Sequence, residues 1–574
     1  MWVYGDRTRR VTVADLLAEA EADLGAGDPL SALIGLGQLL QAVADHEFEA
    51  RGYDARSPAT DALMAAMMRL PSPLMGEGPG ARVIRPHAVN SPESDAERRS
   101  HPIPILLPRE GRGFVHLLPT APLEVRIPEG YAFYALHPAL YAAAARALPP
   151  GDWRVIGIRS VGTSLAAVVA AALGAPPPVT VRPAGHPFAR ELRLSPELEA
   201  VWAAHPGPFV IVDEGPGLSG SSFGAVADAL ERLGVGRERI AFLPGHDGDL
   251  GSQASAEHRA RWAAALRPTA SFEEVVLPRL QAGVEALAGP GQLRDISGGG
   301  WRELTRWPEP PPVHAGMERR KFLHEAGDVR WLVKFAGLGR MGHAKLNRAG
   351  TLHAAGLTPE PAGLVEGFIV ERWLDAAPAA AVPLDRLTDY LAFHARLTAD
   401  PDSGADLATL AEMIRVNAEE ALGAGAAEAL RPWAERALVL ESRVRRVHTD
   451  GRLHRWEWLT TPDGRFLKTD ALDHSEGHDL LGAQDITWDI AGAELELDLT
   501  ATEVQDVREH LDADPDLLGF MRLAYPAFQL GLWTMAAQSQ AGWGDEGDRA
   551  QAQADRYARR LAALLGVDPP PPQG

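Results

Sequence analysis

The stretch from Phe209 to Leu230, FVIVDEGPGLSGSSFGAVADAL, narrows the fold more than any other part of the chain. Four apolar residues run into two acids, a loop of small residues, and then a pattern with Phe223, Val226, Leu230 and Leu233 on one face. That is a strand, a tight connection and a helix. The same alternation runs from about 120 to 250: RVIGI at 154–158, the apolar helix LAAVVAAALG, VTVR at 179–182 and IAFLP at 240–244. Short β-branched strands separated by helices imply βαβ units and a parallel sheet. Ligands of such sheets sit beyond the carboxyl ends of the strands, where the loops after Ile158 and Val212 both fall.

The loop after Val212 has the parts of a phosphate cradle. Gly215, Gly217 and Gly220 bare the backbone amides, and Ser219, Ser221 and Ser222 add hydroxyls at a helix N-terminus. A phosphate has no use for Asp213 and Glu214; the two hydroxyls of a ribose do, as does a metal bridging sugar and diphosphate. Taken alone, the loop also reads as a plain βα turn. A strand, two acids, small residues, then Gly and Ser resemble the phosphoribosyl diphosphate signature of type I phosphoribosyltransferases, over about 120–250. The resemblance implies that Asp213 and Glu214 stabilise positive charge on the sugar as catalytic acids. It implies Gly217, Ser219, Gly220, Ser221 and Ser222 around the 5-phosphate. It makes GIRSVGTSL (157–165) the pyrophosphate loop, with Arg159, Ser160, Gly162, Thr163, Ser164 and magnesium at the departing diphosphate. Two features depart from the pattern: the second acid is Glu rather than Asp, and the loop is one residue longer. The stretch is also similar to phosphoribosyltransferases of bacterial stress-response biosynthetic clusters. TVRPAGHPFAREL (179–191) reads either as a lid over this site or as a surface connection. No lysine follows Gly220, which disfavours a Walker loop.

After a Gly/Pro-rich change of composition near 287–312 the character shifts. VRWLVKFAG (329–337) is a strand with one lysine, Lys334, and GFIVERWL (367–374) is another. In 448–474 two strand-like pieces, RWEWL and RFLKTD, are joined by the turn TPDG, with Asp450 before them and Asp470 after. Phosphoryl transfer needs one carboxylate to orient the attacking hydroxyl and another to hold Mg²⁺, and such a hairpin brings both to one end. Asp489, in DITWDIAGA, is placed to brace the loop before it. Together these segments resemble the kinase-like fold of aminoglycoside and choline phosphotransferases. The resemblance implies ATP as co-substrate and Lys334 on its phosphates. It implies FIVERW, with Glu371, as the hinge at adenine, Asp450 as the catalytic acid/base and Asp470 as the metal ligand. The family's Asn after the catalytic Asp is missing: Arg455 stands there, with Glu457 and His454 as alternatives. No Glu for the lysine is present in AKLNRAGTLHAAG. DISGGGW (295–301) reads as a phosphate-covering loop or a linker. His474, Glu476, His478 and Asp479 have metal-ligand chemistry but the spacing of no clear zinc site, and a solvated loop is the competing reading.

Composition sets the outer limits. A chain of 574 residues is too long for one ordinary core. It divides into a helical region (1–75), a linker (76–119), a phosphoribosyltransferase-like parallel-sheet domain (120–287), a two-lobed α+β kinase-like domain (288–568) and a tail (569–574). Without cysteine there is no disulfide, thiolate nucleophile or cysteine-held metal. A net charge of −21 opposes nucleic-acid backbones. No apolar run spans a bilayer and no secretory leader is legible, so the expected compartment is the cytoplasm. The expected function is a bifunctional enzyme: phosphoribosyl transfer from phosphoribosyl diphosphate, and ATP-dependent phosphorylation of a nucleotide-like metabolite. The alternatives are a sensor that binds either ligand without turnover, or a protein active in its first domain only.

Overall fold

The computed structural model describes residues 1, 8–70, 83–86, 118–217, 219–305, 307, 309–399, 403–472, 474 and 481–568. The chain begins with β1 (Thr8–Val11) and the helices Val13–Gly25, Pro29–Arg51 and Pro58–Met67. Each helix start has a side-chain cap, from Thr12, Asp28 and Ser57. The expected linker contributes β2 (Val83–Ile84), and β3 (Leu123–Arg126) pairs antiparallel with β1. The N-terminal helical region is therefore stitched to the chain beyond residue 120.

The expected parallel sheet is present. It consists of β4 (Arg154–Ile158), β5 (Val179–Val181), β8 (Phe209–Val212) and β9 (Ile240–Leu243), in the order β5-β4-β8-β9. Every residue of β8 and β9 is buried, as expected of strands covered on both faces. The helix Ser221–Arg232 packs on one face, with Phe223, Val226 and Leu230 against Phe209 and Ile211. The helix Gly162–Leu173 covers the other and is itself covered by the N-terminal helices. Between β5 and β8 the chain forms a small hairpin of β6 (Ala184–His186) and β7 (Ala189–Glu191).

A second sheet is antiparallel at every pairing. Its further strands are β10 (Gln292–Asp295), β11 (Lys321–Ala326), β12 (Val329–Phe335), β13 (Pro361–Val365) and β14 (Phe368–Arg372). With β2 they stand in the order β10-β11-β12-β14-β13-β2. The helix Arg340–Ala354 connects β12 to β13. β2 pairs with Leu364 and Val365, so part of the expected linker is an edge strand of this sheet. The core does not break at the expected boundary after 287. Val276, Leu280 and Val284 join Phe322, Val333 and Phe368 in one apolar cluster with Val155, Leu165 and Val212. The helix Leu277–Ala288 thus packs on the second sheet, against β13, β14 and β2.

The remainder is a helical lobe built on Leu384–His394, Leu407–Leu422, Ala424–Leu440, Thr487–Glu496, Ala501–His510, Pro515–Ser539 and Asp545–Leu565. It carries a three-stranded sheet of β15 (Ala377–Pro378), β16 (Trp458–Thr460) and β17 (Phe466–Lys468). The β16–β17 hairpin turns through Thr461–Arg465, where the sequence placed it. Among the described residues no helix is long and apolar enough to cross a membrane.

Candidate functional site

A cavity of about 250 Å³ lies between the antiparallel sheet and the helical lobe. β12 supplies its charged wall by simple alternation. Val333 and Phe335 enter the apolar core, while Leu332 and Lys334 line the cavity, which Phe335 also borders. The Lys334 ammonium pairs with the carboxylate of Asp470, which arrives from the far lobe just after β17. Asp470 takes a left-handed backbone (φ 56°) that ends the strand there. Burial opposes its ionisation, but Lys334 and His474 hold the carboxyl well below the usual range. Glu371 to Trp373, within the segment expected as the adenine hinge, line the same cavity with Leu374.

Behind Asp470 lies a buried charge cluster that the sequence did not reveal. Lys468, wholly buried on β17, places its ammonium 3.1 Å from Asp450 Oδ2 and 2.8 Å from Glu457 Oε2. Burial would lower that ammonium, yet Asp450 and Glu457 together raise it above its ordinary value. His474 lies 3.2 Å from Asp450, 3.5 Å from Glu457 and 3.5 Å from Asp470. Burial would depress the imidazole, but these three carboxylates, Glu457 foremost, raise it to about 9. Asp489 accepts the amides of Asp450 and Gly451 at 2.8 and 2.9 Å, bracing the loop as expected. Of the cluster His474, Glu476, His478 and Asp479, only His474 is among the described residues.

Asp450 departs from its expected role. Its side chain is fully buried and is not part of the cavity lining. Burial disfavours its charge, but Lys468 and His474 keep the carboxyl well below its usual range.

The implied magnesium can be tested against these residues. A hard cation takes carboxylate oxygens and keeps waters and substrate phosphates as further ligands, so one or two protein carboxylates suffice. Asp470, in the cavity, fits. Asp450, Glu457 and His474 offer ligand atoms within 4.8 Å of one another, but the Lys468 ammonium already stands between the two carboxylates, so this trio does not fit.

The cavity's roof includes the end of DISGGGW (295–301), for which the sequence leaves a phosphate-covering loop or a linker. After β10 the chain passes through Gly298 and Gly299, both at positive φ, into a long excursion to β11. Trp301, Trp307, Val313, His314 and Met317 from this excursion line the cavity. Arg302 pairs with Glu546 at 2.6 Å, and the Val313 amide donates to the same carboxylate at 3.3 Å. Gln540 bonds Val313 and Ala315. The excursion is a lid pinned to the helical lobe.

At the parallel sheet the two acids and both loops stand at the carboxyl ends of β4 and β8, as expected. The contacts of individual residues differ from the cradle expectation. Arg159 is buried on Asp45 at 2.7 Å and Asp54 at 2.5 Å, so its guanidinium is committed to the fold and not to a diphosphate. Ser164 bonds the Tyr131 hydroxyl at 2.8 Å. Ser219 and Ser221 donate to the Pro187 carbonyl at 3.3 and 2.6 Å, so the 184–191 hairpin folds onto the loop. Gly162 packs against Val212, and Thr163 is wholly buried. Ser160 is held at φ 132°, Ser222 is half-buried and Gly217 is exposed at φ 60°. Glu214 accepts the Gly130 amide at 2.9 Å. Burial and the neighbouring Glu214 push the Asp213 carboxyl well above the usual range.

No protein-family model and no curated protein matches the chain. Solved structures are similar to it over about half its length. A choline kinase from Streptococcus pneumoniae is 19% identical, with 42% of this chain and 89% of that one covered and a TM-score of 0.30. A choline/ethanolamine kinase family protein from Mesorhizobium loti is 18% identical, with 43% and 88% covered and a TM-score of 0.29. A spectinomycin phosphotransferase, solved with ADP and spectinomycin, is 10% identical, with 50% and 97% covered and a TM-score of 0.34. With scores this low, the reading of the site rests on its geometry.

Proposed function

We propose that the chain is an ATP-dependent phosphotransferase acting on a hydroxyl of a small molecule. The observation that carries this reading is the Lys334–Asp470 pair, which spans the cavity from sheet to helical lobe. Phosphoryl transfer asks the protein mainly for positioning and for charge placed around the phosphates. Lys334 is a cation on a rigid strand facing the cavity, and Asp470 is an ionised carboxylate beside it. Asp470 would hold magnesium, which when bound offsets the negative charge of the phosphate oxygens. Arg452 lines the same wall and adds a second fixed cation, and the lid contributes Trp301 and Trp307 to the lining. The test is ADP release from Mg·ATP by the full chain and by Asp470→Asn. We expect a loss of at least about 100-fold in the variant. Equal release by both proteins would refute the assignment, and tight ATP binding without any release would favour the sensor reading.

A second ligand site is supported by the parallel sheet. The adjacent strands β4 and β8 feed two helices, starting at Gly162 and Ser221, that both lack a side-chain cap. Both helix starts stand at the carboxyl ends of these central strands, next to Asp213 and Glu214, where a helix N-terminus can receive an anion. This favours phosphoribosyl diphosphate as the ligand there, without Arg159. Calorimetry with that compound on wild type and Asp213→Asn tests it; no heat of binding in the wild type rejects it.

A further inference from the structure

If the cavity transfers a phosphoryl group to a hydroxyl, a group in it must take that hydroxyl's proton. Asp450 is poorly suited. Its Oδ2 receives the Tyr390 hydroxyl and faces Lys468, and its Oδ1 receives the Arg452 amide at 3.1 Å and His474 at 3.2 Å. A carboxylate so fully engaged has no lone pair to offer.

Four residues further on, His454 lines the cavity. Its ring stacks on Trp456 with centroids 4.3 Å apart and planes 19° from parallel, which fixes its orientation. Its Nδ1 lies 3.4 Å from Glu496 Oε2. Both ring nitrogens are buried, and neither makes a hydrogen bond among the described residues. An unsatisfied buried nitrogen costs about 1–3 kcal/mol, so its persistence calls for a reason. Glu496 is itself held by Tyr525 at 3.2 Å, Tyr557 at 2.7 Å and Arg556 at 2.9 Å. Burial would raise this carboxyl, but a protonated His454 with Arg556 and Tyr557 holds it down at about 2; beside a neutral imidazole, Arg556 and the two tyrosines still favour the anion. An anion at Nδ1 selects the Nδ1–H tautomer and leaves the lone pair on Nε2. The 3.4 Å separation suits a site whose hydrogen bonds tighten when substrate is bound.

We propose that His454, oriented by Glu496, accepts the proton of the attacking hydroxyl; this rests on the phosphotransferase reading. The acceptor oxygen forms its bond to the γ-phosphorus as the bond from that phosphorus to the β,γ-bridging oxygen breaks. The electron pair leaves with ADP, and the hydroxyl proton passes to Nε2 and then to solvent. Charged and titratable groups near the imidazole include Glu496, with Arg556, Tyr525 and Tyr557 behind it, and Arg452, Glu457, Lys334, Lys468, Asp470 and His474, which line the same cavity. None of them competes for Nε2 among the described contacts.

The test uses the full chain with Mg·ATP and water as phosphoryl acceptor. ADP release is measured from about pH 6 to 9, where a histidine base changes charge. His454→Gln should lower the rate by about 10²–10⁴-fold, leave ATP affinity unchanged and abolish the acid limb of the pH profile. Glu496→Gln should lower the rate by about 10-fold and move that limb, because it disturbs only the orienting partner. A His454→Gln rate within about threefold of wild type, with the acid limb intact, overturns the proposal alone. Imidazole nitrogen NMR gives a readout free of turnover. The neutral His454 resonances, assigned by their loss in the variant, should show Nδ1–H, and an Nε2–H tautomer overturns the proposal. A wild type that neither binds nor cleaves ATP overturns the phosphotransferase reading and this proposal with it.

Discussion

Gly162 shows how a residue's chemistry can mislead when its neighbours are unknown. In a sequence it reads as one more bare amide for a phosphate. In the fold, a Cβ at this position would meet the Val212 carbonyl at 2.6 Å, so glycine is required by the approach of helix to strand. Gly162→Ala should destabilise the protein by about 1–3 kcal/mol, read as a lowered melting temperature; an unchanged melting temperature would show that the contact relaxes freely. Arg159 makes the same point for charge. Its partners Asp45 and Asp54 lie more than a hundred residues earlier, and nothing in a linear pattern announces them. Lys334, Asp470 and Asp489 were legible because alternation and a hairpin place side chains by local rules. Lys468 was not, since a buried lysine depends on carboxylates brought from elsewhere.

At the scale of elements, strands were the easier part. The four parallel strands and the β16–β17 hairpin arise from β-branched runs and turn residues. The lid between β10 and β11 was hidden because Pro and Gly suit a linker and an ordered excursion equally. What orders it is contact with the helical lobe, chiefly at Glu546. Glu546→Ala should free the lid: limited proteolysis within 301–320 should speed up several-fold with the rest of the chain still protected. Equal cleavage of both proteins would mean that the Gln540 bonds and aromatic packing suffice. The edge strand β2 was missed for a similar reason, because a two-residue strand carries no periodicity of its own.

For the whole molecule, the sequence pointed to separable domains, yet one apolar cluster runs from the parallel sheet to the antiparallel one. Composition changes sharply near 290, but packing does not track composition there. Glu366, buried in the turn between β13 and β14, locks this junction: it meets His137 at 3.0 Å and Arg279 at 3.0 Å. Burial would raise its carboxyl, but His137 and Arg279 bring it to about 2, against an ordinary value of 4.5. A carboxyl depressed in the folded state stabilises above its unfolded value and loses that contribution as pH falls through its folded value. The stability gap between wild type and Glu366→Gln should thus be about 3 kcal/mol at neutral pH and narrow from about pH 4.5 toward 2. A gap that does not vary with pH in thermal melts would contradict this.

The coupled sheets also explain why the cavity has rigid walls on both sides: β12 is anchored in the shared core and Asp470 in the helical lobe. A calorimetric titration of Mg·ATP into wild type, Lys334→Met and Asp470→Asn tests that arrangement most directly. Saturable binding by the wild type, weakened at least about 10-fold by either substitution, is the expected result. Identical binding curves for all three proteins, or none at all for the wild type, would contradict it.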